Sequence, residues 1–320
     1  MKKKSILTTI ILLLLITIFL LVFFCNDIHV FNKSLDVDAY ANKNSIEQEA
    51  EKGDPIAQSN LGFLYENKKH YTQAAYWYNK SAMQGYGPAQ YNIGVAYRYG
   101  RGVSQNLQKA REWYQKSANQ GITQAQVNLG MLYLLGLGVS VDYVIARQWF
   151  MKASENGNSI AIFNVGQLYF YGLGVPKDYL QAEIWLKKAL DLGSMRAKNS
   201  LALFYGKGLG NIPLDINEAM KLLKSSACQG YTVAQENLGG IYIEGGKGFP
   251  QDYQQSYAWY AVAVANGSHK AKEMQERVVK KLTDEELKQA KFLAETYIKK
   301  YPAPLDENDT NKSNTECKYP

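Results

Sequence analysis

Cysteine and histidine are scarce in this chain of 320 residues, with three of each. Cys25, Cys228 and Cys317 form an odd and scattered set, which does not make a disulfide framework. Cys228 falls beside Ala227 in a predicted helix and reads as core. His29, His70 and His269 lie in different segments, with no cysteine or carboxylate at metal-ligand spacing. They read as exposed loop histidines, so no metal site is expected. No Gly-x-Ser-x-Gly elbow and no P-loop is present. Gly245-Gly246-Lys247-Gly248 lacks both the Ser/Thr and the upstream glycine. Catalytic residues, a cofactor and a small-molecule substrate are therefore not expected. The formal charge is +7, but Lys2, Lys3 and Lys4 supply part of it, and the remainder is spread without a basic stripe. That excludes nucleic acid as a partner.

Charge is also missing from residues 6–25. As a helix this run is about 30 Å long, enough to span a bilayer. Val22-Phe23-Phe24 is bulky where signal cleavage needs small residues, and the Ala39-Tyr40-Ala41 pattern lies far beyond the run. Residues 1–25 are therefore expected to be a signal anchor, a single transmembrane helix. The positive flank Lys2–Lys4 then stays in the cytoplasm and the rest lies in the periplasm. A cleaved signal followed by secretion is the alternative. Residues 26–45 read as a polar linker.

What the sequence has in quantity is a repeat. Gly53, Gly85, Gly121, Gly157, Gly193, Gly230 and Gly267 recur at a spacing of about 36 residues, and a fixed period marks stacked supersecondary units rather than separate cores. Six units fill residues 46–267. The clearest copy reads Ala89, Ile93-Gly94, Tyr97, Gly100-x-Gly102-Val103, Ala110, Trp113-Tyr114, Lys116-Ser117-Ala118, Gly121. The next repeats it as Ala125, Leu129-Gly130, Tyr133, Gly136-x-Gly138-Val139, Ala146, Trp149-Phe150, Lys152, Gly157.

Each unit predicts two helices. Glycine in the middle of the first costs roughly 1 kcal/mol relative to alanine, so it implies close approach of a neighbouring helix. The Gly-x-Gly-Val loop ends that helix. Asp142, Asp178, Asp215 and Asp252 sit where the second helix begins and suit its positive end. Thr283-Asp284-Glu285-Glu286 is a capping box, so residues 268–302 read as two capping helices. Residues 303–320 are rich in Asp, Asn and Lys and are expected to be disordered.

These residues resemble the Sel1-like repeat family, relatives of tetratricopeptide repeats, over about two thirds of the chain. The departures are Asn67-Lys68-Lys69-His70 in place of the first loop, Ala202 and Leu222 in the fifth unit, and an extra residue near Gly245–Gly248. The resemblance implies an all-α fold, an α/α superhelical solenoid of helix–turn–helix repeats behind an N-terminal transmembrane or signal helix. It also implies a non-enzymatic scaffold whose first helices line the inner, concave surface.

The inner face opposite the packing seam then carries Tyr91, Arg98 and Tyr99, then Val127, Met131 and Leu134, then Phe163, Gln167 and Phe170. Such a surface suits an extended peptide or a helix of a protein partner. Tyr91, Arg98 and Phe163 do not recur between units and are the sharper candidates. Asn60, Asn92, Asn128, Asn164 and Asn237 recur before the apolar-glycine pair. They are either a row of amides for a peptide backbone or structural bonds between units. A secreted effector binding host proteins and a peptidoglycan or glycan binder remain open. The glycan reading has Glu236 and Glu244 as its nearby carboxylates.

Overall fold

The structure is a computed structural model that describes residues 43–245 and 250–303. The apolar run 6–25 and the tail from residue 304 lie outside the described residues. Among the described residues, no helix is long and apolar enough to cross a membrane.

Every regular element among the described residues is an α-helix. The chain divides into two compact units, residues 1–161 and 162–320. The first carries α1 Lys43–Lys52, α2 Pro55–Asn67, α3 Tyr71–Met83, α4 Gly87–Tyr99, α5 Leu107–Asn119, α6 Thr123–Leu135 and α7 Tyr143–Glu155. The boundary falls inside α8 Ser159–Tyr171. The second unit continues with α9 Tyr179–Asp191, α10 Met195–Lys207, α11 Ile216–Cys228, α12 Thr232–Glu244, α13 Tyr253–Ala265, α14 His269–Val279 and α15 Asp284–Lys300. α1 begins inside the stretch read as linker. It is held by Ala50, fully buried against Ala57 and Leu61 of α2.

In the first unit the helices pack as the hairpins α2–α3, α4–α5 and α6–α7, and each hairpin stacks on the next. Asp54, Asn106 and Asp142 start α2, α5 and α7 by accepting a hydrogen bond from the backbone three residues on. His70, in the unit without the loop, makes no such bond. The mid-helix glycine is set by an aromatic ring. A Cβ on Gly94 would lie 2.7 Å from Tyr114 Cδ1. Tyr114 is fully buried there, which offsets the helix-propensity cost.

The second glycine of the loop has a separate task. A Cβ on Gly102 would lie 2.0 Å from the Tyr71 carbonyl oxygen, at the start of α3. Only glycine lets the loop of one repeat rest on the backbone of the previous one.

Polar side chains tie the hairpins together. Ser81 and Ser117 donate to the carbonyls of Pro55 and Gly87, closing α3 on α2 and α5 on α4. Buried Gln58, Gln90 and Gln126 donate to the carbonyls of Ala50, Ala82 and Ala118. These carbonyls belong to the last turns of the preceding helices, where each also accepts from the backbone N–H of the closing glycine, Gly53, Gly85 or Gly121. Outside, Lys116 lies 4.2 Å from the centre of the Trp113 ring and Lys152 lies 4.4 Å from that of Trp149, so the Trp-x-x-Lys pattern is a cation–π pair.

The second unit repeats the scheme in α10–α11 and α12–α13. Asp178, Asp215 and Asp252 cap α9, α11 and α13. Ser226 donates to the Met195 carbonyl and Gln235 to that of Ala227. α14 and α15 pack on α13. Thr283 and Glu286 form the capping box at the start of α15, and these hydrogen bonds hold the exposed Glu286 carboxyl below its usual range. Trp259 stacks on Tyr301 with 16° between the rings and also meets Tyr297 at 5.1 Å.

Cys228, at the end of α11, is half-buried beside this cluster and is disulfide-bonded. It packs against the core as its sequence neighbours suggested, and the disulfide is a feature the scattered cysteines did not suggest. Cys25 and Cys317 both lie outside the described residues.

Candidate functional site

The expected inner face is less open than helical spacing suggested. Arg98, Met131 and Phe163 are only 4%, 1% and 3% exposed, and Val127 is buried as well. Tyr91, Tyr99, Leu134, Gln167 and Phe170 are half-buried. The cause lies in helix composition. α6 is buried without a break from Ala125 to Leu132, more than two full turns, with Gln126 and Asn128 buried among the apolar residues. A helix of that kind has no free face, whereas the spacing argument assumed one.

Several of these side chains also have partners. Tyr91 meets the Tyr114 ring at 5.8 Å, and the Arg98 guanidinium lies 5.0 Å from the centre of the Tyr99 ring. Gln167 donates to Ser200 Oγ at 3.0 Å. Phe170 packs 5.5 Å from Tyr179 and 5.6 Å from Phe204. Of the asparagines, Asn92 is half-buried, Asn128 and Asn164 are buried, and Asn237 is exposed. Asn237 donates to Asn199 Oδ1 at 2.9 Å, a bond between successive first helices. Asn128 Nδ2 is buried without a hydrogen-bond partner among the described residues.

An open site lies wholly within the second unit. It is a cavity of about 640 Å³ between α10, α11, α12, α13 and α14. Its walls are mostly apolar, with Ala202, Leu203, Met220, Leu223 and Met274. Two glycines make the room. Beside Gly240, a Cβ would find Tyr260 Oη at 3.6 Å and nothing closer, and beside Gly206 only Ala219 Cβ at 3.8 Å. The preceding Gly239 is different, because its Cβ would stand 2.9 Å from the Tyr260 ring. One glycine admits the ring and the next leaves space in front of it.

The polar groups are few. Tyr260 is 3% exposed, lines the cavity and makes no hydrogen bond among the described residues. Burial, then the charges of Glu236 and Glu244, push its phenol up to about 12. Glu236 accepts a hydrogen bond from Ser268 Oγ and lies 3.8 Å from Lys270 Nζ. Glu244, the last residue of α12, is exposed and has no hydrogen bond or ion pair among the described residues. Lys207 and Lys270 also line the opening. Among the described residues no group of three or more His, Cys, Asp or Glu could hold a metal ion.

Sequence reasoning named Glu236 and Glu244 but missed Tyr260, Gly206 and Gly240. The available signal was the doubled Gly239-Gly240, where four other repeats carry one glycine and the fifth carries Ala202.

Hairpins of this geometry, stacked through recurring side-chain bonds, define an all-helical repeat solenoid. The family model for the Sel1 repeat matches residues 55–86, 87–122, 123–158, 159–194, 196–231 and 232–268. The chain belongs to the Sel1 repeat family. It is similar to the crystal structure of a Sel1 repeat protein from Oxalobacter formigenes, with 32% identity and a TM-score of 0.66, over 73% of this chain and 96% of that one. It is also similar to c5321, a protective antigen present in uropathogenic Escherichia coli strains displaying an SLR fold. There the identity is 28% and the TM-score 0.53, over 86% of this chain and 67% of that one. Among curated proteins nothing matches the chain.

Proposed function

We propose that this chain is a non-enzymatic scaffold that binds a protein partner through the first helices of its repeats. The observation that carries this is the cavity between α10 and α12. It is a mostly apolar recess that Tyr260 and Glu244 line with polar groups, on a repeat fold that generally serves as a protein-interaction scaffold. Residues 1–25 act as a signal anchor in this reading, with the repeats in the periplasm. The support is the uncharged run behind Lys2–Lys4. A glycan-binding role would rest on Glu236 and Glu244, and Glu236 is already engaged by Ser268 and Lys270.

The test is photo-crosslinking in cells with the crosslinker at Leu203, which lines the cavity, and a control at the exposed Lys221. A discrete protein adduct from Leu203 alone supports the scaffold. Equal adducts from both positions, or none, overturn it. Protease accessibility in spheroplasts tests the compartment, because repeats that stay protected there contradict the periplasmic placement.

A further inference from the structure

We propose that the cavity of the second unit receives an arginine side chain of the partner. This rests on the scaffold reading above and names the chemistry of its contact.

The space comes first. Gly206 and Gly240 leave the floor clear, and Met220, Leu223 and Met274 provide apolar walls. An arginine has a three-carbon stem that packs on apolar surface and a charged head that must find acceptors.

The acceptors are present and waiting. Tyr260 is almost fully buried, and its hydroxyl faces the cavity with no hydrogen-bond partner among the described residues. Glu244 carries a carboxylate without an ion pair, at the same opening. Glu236 has its own partners, Ser268 and Lys270, and adds negative charge beside the phenol.

Other occupants fit less well. An apolar side chain would cover the Tyr260 hydroxyl and leave it desolvated and unbonded. A carboxylate would be repelled by Glu236 and Glu244. A lysine ammonium is a point charge, whereas the guanidinium presents five donors in a planar fork that can reach a carboxylate and a phenol together. The lining lysines do not close the site to a cation. Lys270 is 63% exposed and lies beside Glu236, and Lys207 is exposed at the C-terminal end of α10, where helix carbonyls favour a positive charge.

The probe is N-acetyl-L-argininamide, titrated into the full-length chain in detergent micelles with carbon-13 methyl-labelled methionine. The chain has seven methionines. Met220 and Met274 line the cavity, and the others serve as internal controls. The expected result is a saturable shift of the Met220 and Met274 methyl signals only. N-acetyl-L-norleucinamide, which keeps the stem and lacks the head, should bind about tenfold more weakly. Glu244→Gln and Tyr260→Phe should each weaken the arginine probe by about five- to tenfold. Gly240→Leu fills the space and should abolish the shift.

No saturable shift, equal affinity for the norleucine probe, or unchanged binding in Gly240→Leu each overturns the inference. Should Gly240→Leu not fold, as judged by the other methionine signals, the Gln and Phe variants decide. A partner adduct at Leu203 without arginine binding sinks this inference and leaves the scaffold standing. Arginine binding without an adduct overturns the scaffold reading and with it the assignment of the arginine to a partner, leaving only the affinity of the cavity for a guanidinium.

Discussion

The Tyr78 hydroxyl donates a 2.7 Å hydrogen bond to Glu66 Oε2, joining the two helices of the first repeat. Tyr78 is 2% exposed, and burial followed by the Glu66 charge keeps its phenol protonated well above the usual range. Arg101, from the loop of the next repeat, lies 3.6 Å from the other oxygen of Glu66. Tyr78→Phe removes the bond and keeps the ring. It should cost about 1–2 kcal/mol, since Glu66 keeps Arg101 and some solvent. A lower midpoint in urea, followed by circular dichroism, is the check, and an unchanged midpoint would contradict it.

Two glycines in equivalent helices should respond in opposite ways. Gly94→Ala places a methyl 2.7 Å from the Tyr114 ring, and overpacking there should cost about 1–3 kcal/mol. Gly240→Ala meets nothing closer than 3.6 Å and should be neutral or stabilise by up to about 1 kcal/mol, as alanine in a helix does. Thermal melts of both variants against the parent chain test the contrast.

Tyr260 predicts an alkaline loss of stability. Its phenol is raised from the ordinary 10.0 to about 12, first by burial and then by Glu236 and Glu244. Between those values the folded chain holds a proton that the unfolded chain has released. Its stabilising contribution is therefore complete below pH 10 and lost as pH rises towards 12. Tyr260→Phe should flatten part of that decline in melting temperature. A parallel decline in both proteins would show that other groups dominate.

Cys228 is disulfide-bonded, so peptide mapping without reduction should find its peptide joined to another through a disulfide. The link should disappear on reduction. A free Cys228 thiol in chain purified from its native compartment would refute the pairing.

The fold was legible because its determinants recur. Ala110, Gly94 and Tyr114 form a local contact that the first three copies spell out in register and the later ones vary, and the aspartate caps are visible from Asp142 to Asp252. The inner surface was less legible. Arg98, Met131 and Phe163 were placed on an open face by counting turns, and counting cannot report that α6 is covered on more than one side. Gln58, Gln90, Gln126 and Gln235 also escaped notice, because a glutamine three residues past the helix start reads as solvated polarity. Their role needs the carbonyl of a different helix. The cavity followed from spaces that side chains do not fill, at Gly206 and Gly240, and a repeat pattern describes what recurs rather than what is missing.

The buried glutamines and the seated loop glycines give each repeat a matching plug and socket. Gln90 and Gly102 both reach back to the hairpin before them, one to the Ala82 carbonyl and the other to the backbone at Tyr71. Excision or duplication between equivalent glycines, such as Gly85 and Gly121, therefore keeps every joint furnished on both sides. A cut elsewhere strands a donor on one side and an acceptor on the other. Arrays of this kind can lengthen or shorten by whole units, and the place to graft a new binding module is fixed by the joints rather than by the binding surface.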